Sequence, residues 1–280
     1  MQGRVIAGRY RLERIEGRDA VGVVWRAEHL TLGIPIAVKL IRYPGALTPE
    51  GRARFEREAK LAARIRSAYV SRVVDFGLGA DELFLVTEWL EGESLRARLA
   101  STGRLGLVET ARALGDVCRA LAAAHALGLV HCDIEPQNVL VARGEPGGRE
   151  TYRLLDFAGP SVVGPADRDP ALPLPYYLSP ELAGGSPRVD YRADLWSASV
   201  TALECLTGQR PFEAAELAPL LAQIVRGDIR LPREVAPELA LPPAIDDWAR
   251  RALARAPAER YPSALELAAA FRTAAGVADD

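Results

Sequence analysis

One polar stretch between two apolar segments carries residues that could do chemistry. This polar loop reads His-Cys-Asp-Ile-Glu-Pro-Gln-Asn over residues 131–138. Asp133 offers a carboxylate and Asn138 offers a carboxamide five positions later. This spacing is typical of a phosphoryl-transfer loop, in which the Asp accepts the proton of a substrate hydroxyl and the Asn holds a metal ion. A polar turn between a helix and a strand has a similar composition, so the surrounding segments must decide.

The segments on either side predict the elements that position the polar loop. Residues 105–129 have apolar residues at helical spacing and predict a long helix. The β-branched run 139–141 predicts a strand, and residues 152–155 predict the partner strand of a hairpin. Asp156 follows that partner strand and offers a further carboxylate.

The first third of the chain alternates between apolar and polar residues as strands do. Gly17 and Gly22 flank a turn whose backbone N–H groups could contact phosphate, although an ordinary hairpin also contains such glycines. Lys39 lies inside an apolar strand, where an ammonium is costly unless it reaches water or meets an anion. The predicted strands cover residues 9–15, 23–27, 36–41, 70–76 and 82–87.

Helical patterns dominate the remainder. Thr48 and Pro49 predict the N-cap and first residue of a helix that carries Glu58 close to its inward face. Further helices are predicted over residues 194–207, 245–255 and 263–271, and an irregular, proline-rich loop over 158–180. The expected fold class is α+β, with a small β-rich lobe, a short connector and a larger, mainly helical lobe. The expected boundaries are residues 1–87, 88–92 and 93–280.

Composition excludes several classes of function. With 280 residues the chain can bury a large core, and its net charge of −2 without basic clusters predicts no binding to nucleic acid. The three cysteines lack paired metal spacing and are expected to be core thiols in a reducing compartment. The N-terminus has no apolar signal segment, and the apolar stretch 117–130 is too short to span a bilayer. We therefore expect a cytoplasmic protein without a membrane segment.

Taken together and in order, these motifs resemble the protein kinase family, most closely the eukaryotic-like Ser/Thr kinases of bacteria. The resemblance runs from about Tyr10 to Phe271 and includes three further positions. Ser179-Pro180-Glu181 is similar to the Ala-Pro-Glu motif, and Arg260 is similar to the late arginine that pairs with its Glu. Asp194 is similar to the Asp that braces the catalytic loop. These positions are structural in the family and separate it from small-molecule kinases.

The resemblance implies a bilobal protein-kinase-like fold that uses ATP and Mg²⁺. Residues Gly17 to Gly22 would cover the phosphates, and Lys39, fixed by Glu58, would hold the α- and β-phosphates. Thr87 would lie behind the adenine, which the backbone groups of Glu88 to Leu90 would contact.

The same resemblance implies the catalytic roles. Asp133 would be the catalytic base that accepts the proton of a Ser or Thr hydroxyl in a protein substrate. Asn138 and Asp156 would be the metal ligands. Glu135, on the same loop, stands at the altered position where the family has a lysine that contacts the γ-phosphate.

Several other positions depart from the family pattern. Asp19 replaces the middle glycine of the phosphate loop, and Cys132 replaces the arginine that meets a phosphorylated activation loop. Leu174 replaces the threonine that bonds the lysine and the base, and Ala158 replaces the glycine after Asp156-Phe157. The segment from residue 157 to residue 178 contains Ser161 as its one Ser or Thr, so we expect no switching by loop phosphorylation.

Two functions remain open. The first is a divergent protein Ser/Thr kinase of reduced activity. The second is a pseudokinase, a nucleotide-responsive binding or scaffold module with a protein partner. Asp133, Asn138 and Asp156 favour the first, because carboxylates and amides are costly in a site without metal. A small-molecule phosphotransferase is disfavoured by Glu181 with Arg260.

Overall fold

The computed structural model describes residues 1–19, 22–42, 47–79, 82–144, 148–157, 173–186 and 189–278. Two compact units can be distinguished. The first unit contains Met1–Arg66, Val70–Glu91 and the segment that begins at Asp156. The second unit contains Ser67–Tyr69, Gly92–Leu155 and the segment that begins at Pro173. Strands dominate the first unit and helices the second, which confirms the α+β class.

The first unit is built on a six-stranded antiparallel sheet in the order β1-β2-β3-β4-β6-β5. All five strands predicted from the sequence are present. Strand β2 runs three residues beyond the predicted Ile15, because bulges before Arg14 and Gly17 keep it paired with β3. The strands are β1 Val5–Ile6, β2 Tyr10–Arg18, β3 Gly22–His29, β4 Ile34–Ile41, β5 Val73–Leu78 and β6 Leu83–Glu88.

The two faces of this sheet differ in chemistry. On β4, Ile36, Val38 and Leu40 belong to the buried apolar cluster of one face. Because side chains alternate along a strand, Lys39 lies on the other face. Ala37, on the same face as Lys39, is directly opposite Thr87 of β6. The strand register therefore places two predicted site residues, Lys39 and Thr87, on one face of the sheet.

Helix α1, Pro49–Ala62, begins as the sequence predicts. The hydroxyl of Thr48 accepts a hydrogen bond from the backbone N–H of Gly51 at 3.0 Å. The helix buries Phe55, which makes an edge-to-face contact with Phe76 of β5 at 6.1 Å between ring centroids. This packing fixes the helix that carries Glu58.

The second unit consists mainly of helices. A three-stranded sheet accompanies them, formed by β7 Gly92–Ser94, β8 Val139–Ala142 and β9 Thr151–Leu154. Among the described residues, no helix is long and apolar enough to cross a membrane. The cysteines Cys118, Cys132 and Cys205 are free thiols. The helices are α2 Leu95–Thr102, α3 Leu107–His125, α4 Pro180–Ala183, α5 Arg192–Thr207, α6 Leu217–Arg226, α7 Pro232–Val235, α8 Pro243–Ala252 and α9 Ala264–Ala275.

Two helices of the second unit show how the termini are set. Every residue of the central helix α5 after Arg192 is buried, and the helix ends at Gly208, whose φ of 73° is left-handed, as the sequence predicts. The predicted helix over residues 105–129 is shorter than expected. It begins only at Leu107, since the N–H of Leu105 bonds the carbonyl of Cys205 at 2.6 Å. Residues after His125 form a turn with Gly128 at a φ of 73°.

The two predicted phosphate-loop glycines differ in their surroundings. A Cβ added at Gly22 would overlap the carbonyl oxygen of Leu40, the residue before Ile41, which is the register partner of Gly22 on β4. A Cβ added at Gly17 would meet nothing within 4 Å. Gly22 is therefore required by the pairing of β3 with β4, whatever it contributes to ligand binding.

This difference predicts unequal stability effects. Gly22→Ala should lower the free energy of unfolding by about 1–3 kcal/mol, because the added methyl forces the two strands apart. Gly17→Ala is the matched control and should change it by about 0.5 kcal/mol or less. Urea unfolding of both variants measures the difference. Equal losses at the two positions, or no loss at Gly22, would contradict the steric explanation.

Candidate functional site

The polar loop, residues 131–138, is anchored on one buried carboxylate of the second unit. Asp194, on helix α5, is 0% exposed. Its Oδ2 accepts the backbone N–H of His131 at 2.9 Å, and its Oδ1 accepts that of Cys132 at 2.8 Å. The Nε2 of His125 contacts the same carboxylate at 2.7 Å. The bracing role expected for Asp194 is confirmed.

His131 connects the polar loop to the end of strand β9. Its Nδ1 accepts the backbone N–H of Asp133 at 3.2 Å, so the ring proton must lie on Nε2. Nε2 then donates to the carbonyl of Leu155 at 2.7 Å. The backbone N–H of Leu155 in turn donates to the carbonyl of Asn138 at 2.9 Å. The loop is thus held at both ends.

The structure brings Asp133 and Asn138 together. The Nδ2 of Asn138 donates to the carboxylate Oδ2 of Asp133 at 3.0 Å and to the Asp133 backbone carbonyl at 2.8 Å. Asn138 is buried, whereas Asp133 is exposed. These bonds orient the Asp133 carboxylate, and they leave Oδ1 as the amide atom of Asn138 that can ligate a hard cation.

Cys132 occupies the bend of the polar loop. Its φ of 63° is left-handed, a conformation that costs a non-glycine residue about 1–2 kcal/mol. The two hydrogen bonds that Asp194 accepts from residues 131 and 132 hold this bend in place. The conformation is therefore maintained by the buried carboxylate.

Glu135 places a negative charge within the same loop. Its backbone carbonyl accepts the N–H of Asn138 at 2.9 Å, and its side chain is half-buried. The pKa of Tyr177 is raised above its ordinary value, first by burial and then by the Glu204 carboxylate, with a smaller contribution from Glu135. The charge of Glu135 is therefore felt by a neighbouring buried residue.

A buried ion pair fixes the segment after the proline-rich loop. The guanidinium of Arg260, a residue that is 3% exposed, donates to both oxygens of Glu181, at 2.9 and 2.8 Å. It also donates to the carbonyls of Arg192 and Ala254, at 2.8 and 2.9 Å. The predicted pairing of Glu181 with Arg260 is confirmed.

In the first unit, Lys39 is 4% exposed and its ammonium meets two carboxylates. One is Asp156, whose Oδ2 lies 3.1 Å from Nζ. The other is Asp19, the residue at the altered glycine position. Asp156 itself has a φ of 62°, which Asp tolerates better than most residues do. Two predicted site residues, Lys39 and Asp156, are thus in direct contact.

The contact between Glu58 and Lys39 that the resemblance implies is not formed among the described residues. The Oε1 of Glu58 accepts the Nε of Arg54, one turn earlier on α1, at 3.0 Å. Its Oε2 is buried and has no hydrogen-bond partner in the part of the chain that the structure describes. Arg54 is held four residues away by the helix itself, while the Lys39 charge is already balanced by Asp19 and Asp156. The i, i+4 spacing of Arg54 and Glu58 was the signal in the sequence.

The phosphate-loop positions are held by a short local contact. The Oδ1 of Asp19 accepts the backbone N–H of Gly22 at 2.9 Å, and the N–H of Asp19 donates to the Gly22 carbonyl at 3.1 Å. Gly17 lies on β2 before this turn. Residues 20 and 21, between these anchors, and the predicted loop positions Ala158 and Ser161 lie outside the described residues.

The predicted adenine-binding segment begins at the end of β6. Thr87 and Glu88 are its last strand residues, and both are half-buried, as is Leu90. The backbone N–H of Glu88 already donates to the carbonyl of Arg72 at 3.0 Å. Glu88 can therefore offer only its carbonyl from the backbone, and any N–H for a ligand must come from a residue further along.

Residues 10–269 match the model of the protein kinase domain. The chain belongs to the protein kinase family. It is 32% identical over 272 residues to the Serine/threonine-protein kinase pkn3 of Myxococcus xanthus. The aligned region covers 94% of this chain and 49% of that relative. It is also 32% identical over 270 residues to the Serine/threonine-protein kinase PknH of Mycobacterium bovis, and that alignment covers 95% of this chain and 44% of the relative. The kinase chain spans about half the length, or less, of these curated relatives.

Solved structures confirm the kinase fold. A double-mutant PknI kinase domain from Mycobacterium tuberculosis superimposes with a TM-score of 0.81 and 28% identity, covering 99% of both chains. The unmodified PknI kinase domain gives a TM-score of 0.77, also at 28% identity. The protein-kinase-like fold expected from the motifs, a β-rich lobe and a mainly helical lobe, is therefore correct.

The two residues predicted as metal ligands, Asp156 and Asn138, carry oxygen donors. Within the described ranges, no group of three or more His, Cys, Asp or Glu side chains is positioned to hold a metal ion. Mg²⁺ does not require one, because it is commonly held by one or two protein oxygens, by water and by substrate phosphates. The carboxylate of Asp156 and the amide oxygen of Asn138 are donors of this kind.

Proposed function

We propose that this kinase domain binds ATP with Mg²⁺ and transfers the γ-phosphate to Ser or Thr of a protein substrate, at a reduced rate. The observation that carries the proposal is the hydrogen bond between Asn138 and the Asp133 carboxylate, on a loop held by Asp194. An exposed, oriented carboxylate can accept a proton from a hydroxyl group, as general base catalysis requires.

Roles in nucleotide binding are assigned to residues of the first unit. Lys39 supplies positive charge to the α- and β-phosphates, because its buried ammonium donates to anionic groups. Glu58 is its partner in the nucleotide-bound state, for which its unsatisfied Oε2 is suited. Thr87, the Glu88 carbonyl and Leu90 contact adenine.

Asp156 and Asn138 are proposed as the metal ligands. A carboxylate and an amide oxygen are both hard donors that suit Mg²⁺, which would neutralise charge on the phosphates when bound. Asp133 orients the substrate hydroxyl and takes its proton, while the Asn138 amide keeps the carboxylate in position.

A second function, a pseudokinase that binds nucleotide or protein without transfer, is favoured by specific contacts. Asp19 pairs with Lys39, and Glu58 pairs with Arg54. Both contacts engage residues that a phosphotransferase needs for other partners. Both functions include ATP binding, and only the first includes phosphate transfer. Measuring the rate of phosphate transfer therefore distinguishes them.

ATP binding is expected to depend on Mg²⁺ through Asp156. ATP with Mg²⁺ should raise the melting temperature, since a ligand present at 100 times its Kd stabilises the folded state by about 2.7 kcal/mol. Asp156→Asn tolerates the left-handed backbone and should remove the Mg-dependent part of the shift. Thermal-shift scans with and without Mg²⁺ measure this.

Asp247→Asn is the matched control, because Asp247 is exposed and pairs only with the nearby Arg250 among the contacts described. It should leave the Mg-dependent shift unchanged. No shift and no calorimetric heat at millimolar nucleotide would remove the premise of both functions.

Glu135 is expected to be the main brake on catalysis. Glu135→Lys restores a cation where the transferring phosphoryl group develops charge, and one such interaction is typically worth ~3–4 kcal/mol, or ~10²–10³ in rate. The transfer rate should rise, more so with Leu174→Thr, while ATP affinity should change less. Steady-state transfer to a protein substrate and ATP titration measure the two effects.

Glu238→Lys provides the charge-matched control at an exposed position of the same unit. It should leave the rate unchanged. If Glu135→Lys fails to raise a measurable wild-type rate, the brake lies elsewhere. If neither protein transfers phosphate although both bind ATP with Mg²⁺, the pseudokinase function is favoured.

A further inference from the structure

The side chain of Lys39 needs anionic partners because it is buried. The residue is 4% exposed in the middle strand β4, and a buried ammonium is stable only when it is paired. Asp156 supplies one carboxylate, with Oδ2 at 3.1 Å from Nζ. The second comes from Asp19, a residue of the phosphate loop itself.

Asp19 is positioned for this contact by its own turn. Its two carboxylate oxygens have separate partners, since Oδ1 accepts the backbone N–H of Gly22 at 2.9 Å while Oδ2 pairs with Lys39. The backbone N–H of Asp19 also bonds the Gly22 carbonyl at 3.1 Å. Short-range bonds thus fix the carboxylate before any ligand arrives, which lowers the entropic cost of the ion pair.

A carboxylate and a phosphate oxygen are alternative partners for the same ammonium. Both accept charge-assisted hydrogen bonds, and both carry negative charge. A phosphate that approaches Lys39 must displace the Asp19 carboxylate or share the ammonium with it. The displaced carboxylate remains tethered at Gly22, where its charge continues to repel the phosphate.

We propose that Asp19 is a specificity-determining residue that competes with nucleotide phosphates for Lys39. The inference rests on the proposed function, because it takes Lys39 as the phosphate-binding lysine. Asp19 reduces the part of the affinity that comes from phosphates and leaves the part that comes from the nucleoside. The wild-type domain therefore discriminates little between ADP and adenosine.

Calorimetric titration of the whole chain with adenosine and with ADP, at constant Mg²⁺ and ionic strength, tests the proposal. Asp19→Asn keeps the shape of the side chain and removes its charge. The Kd for ADP should fall about fivefold or more, because the binding-competent state is no longer depleted by the ion pair. The Kd for adenosine should stay within about twofold.

Glu16→Gln is the matched control. It removes a carboxylate three residues away that bonds Arg14 at 2.6 Å and not Lys39. The ratio of the Kd for adenosine to the Kd for ADP should be the same in Glu16→Gln as in the wild type. Asp19→Gly, which also removes the Cβ, is the second variant and should shift the ratio in the same direction as Asp19→Asn.

Three results would overturn the proposal. The first is a Kd ratio that stays at the wild-type value in both Asp19 variants. The second is an equal shift of that ratio by Glu16→Gln, which would indicate a general effect of net charge. If neither adenosine nor ADP binds to any folded variant, the proposed function fails and this inference fails with it. Melting curves of each variant establish that it is folded.

Discussion

The polar loop of residues 131–138 depends on one buried carboxylate, that of Asp194. It lies on the most deeply buried helix of its unit and accepts two consecutive backbone N–H groups, those of His131 and Cys132. A fully buried carboxylate needs such donors, and the left-handed bend at Cys132 is held by the bonds that this carboxylate accepts. Each therefore stabilises the other. This contact holds the start of the loop that carries Asp133 and Asn138.

A second constraint comes from the sheet. The side chain of Lys39 is buried on one face of the sheet, and a buried ammonium needs an anionic partner. Asp156 and Asp19 provide the two carboxylates. Asp156 stands where the resemblance implies a metal ligand, while Asp19 stands where the family pattern has a glycine. The electrostatic requirement behind the proposed role of Lys39 in phosphate binding is met in this structure by local carboxylates.

Several local features of the fold and of the candidate site could be predicted from the sequence, because they depend on residues that are close together in the chain. The spacing of Asp133 and Asn138, the helix start at Thr48 and the left-handed stop at Gly208 are all set by short-range geometry. The long-range pair of Glu181 and Arg260 was also predicted, but only through the resemblance to a family. The residue types alone do not specify that contact.

The choice of partner among several nearby charges was not predicted, although the spacing of Arg54 and Glu58 offered a signal for one of the pairs. Glu58 bonds Arg54 rather than Lys39, and Lys39 bonds Asp19, because competing ion pairs differ by small free energies that depend on side-chain positions. The steric role of Gly22 was hidden for a similar reason, since the Leu40 carbonyl reaches it only through strand pairing. The boundaries of helix α3 likewise depend on a bond to Cys205, far along the chain.

The central claim is that Asp133 is a working catalytic base, and phosphotransfer tests it most directly. The measurement is incorporation of the γ-phosphate of ATP into casein with Mg²⁺ or Mn²⁺, comparing the wild type with Asp133→Asn. We expect a slow but measurable wild-type rate that falls by about 10²-fold or more in the variant, as loss of a general base predicts. Equal rates for the two proteins, or no incorporation by a wild type that binds ATP, would contradict the claim.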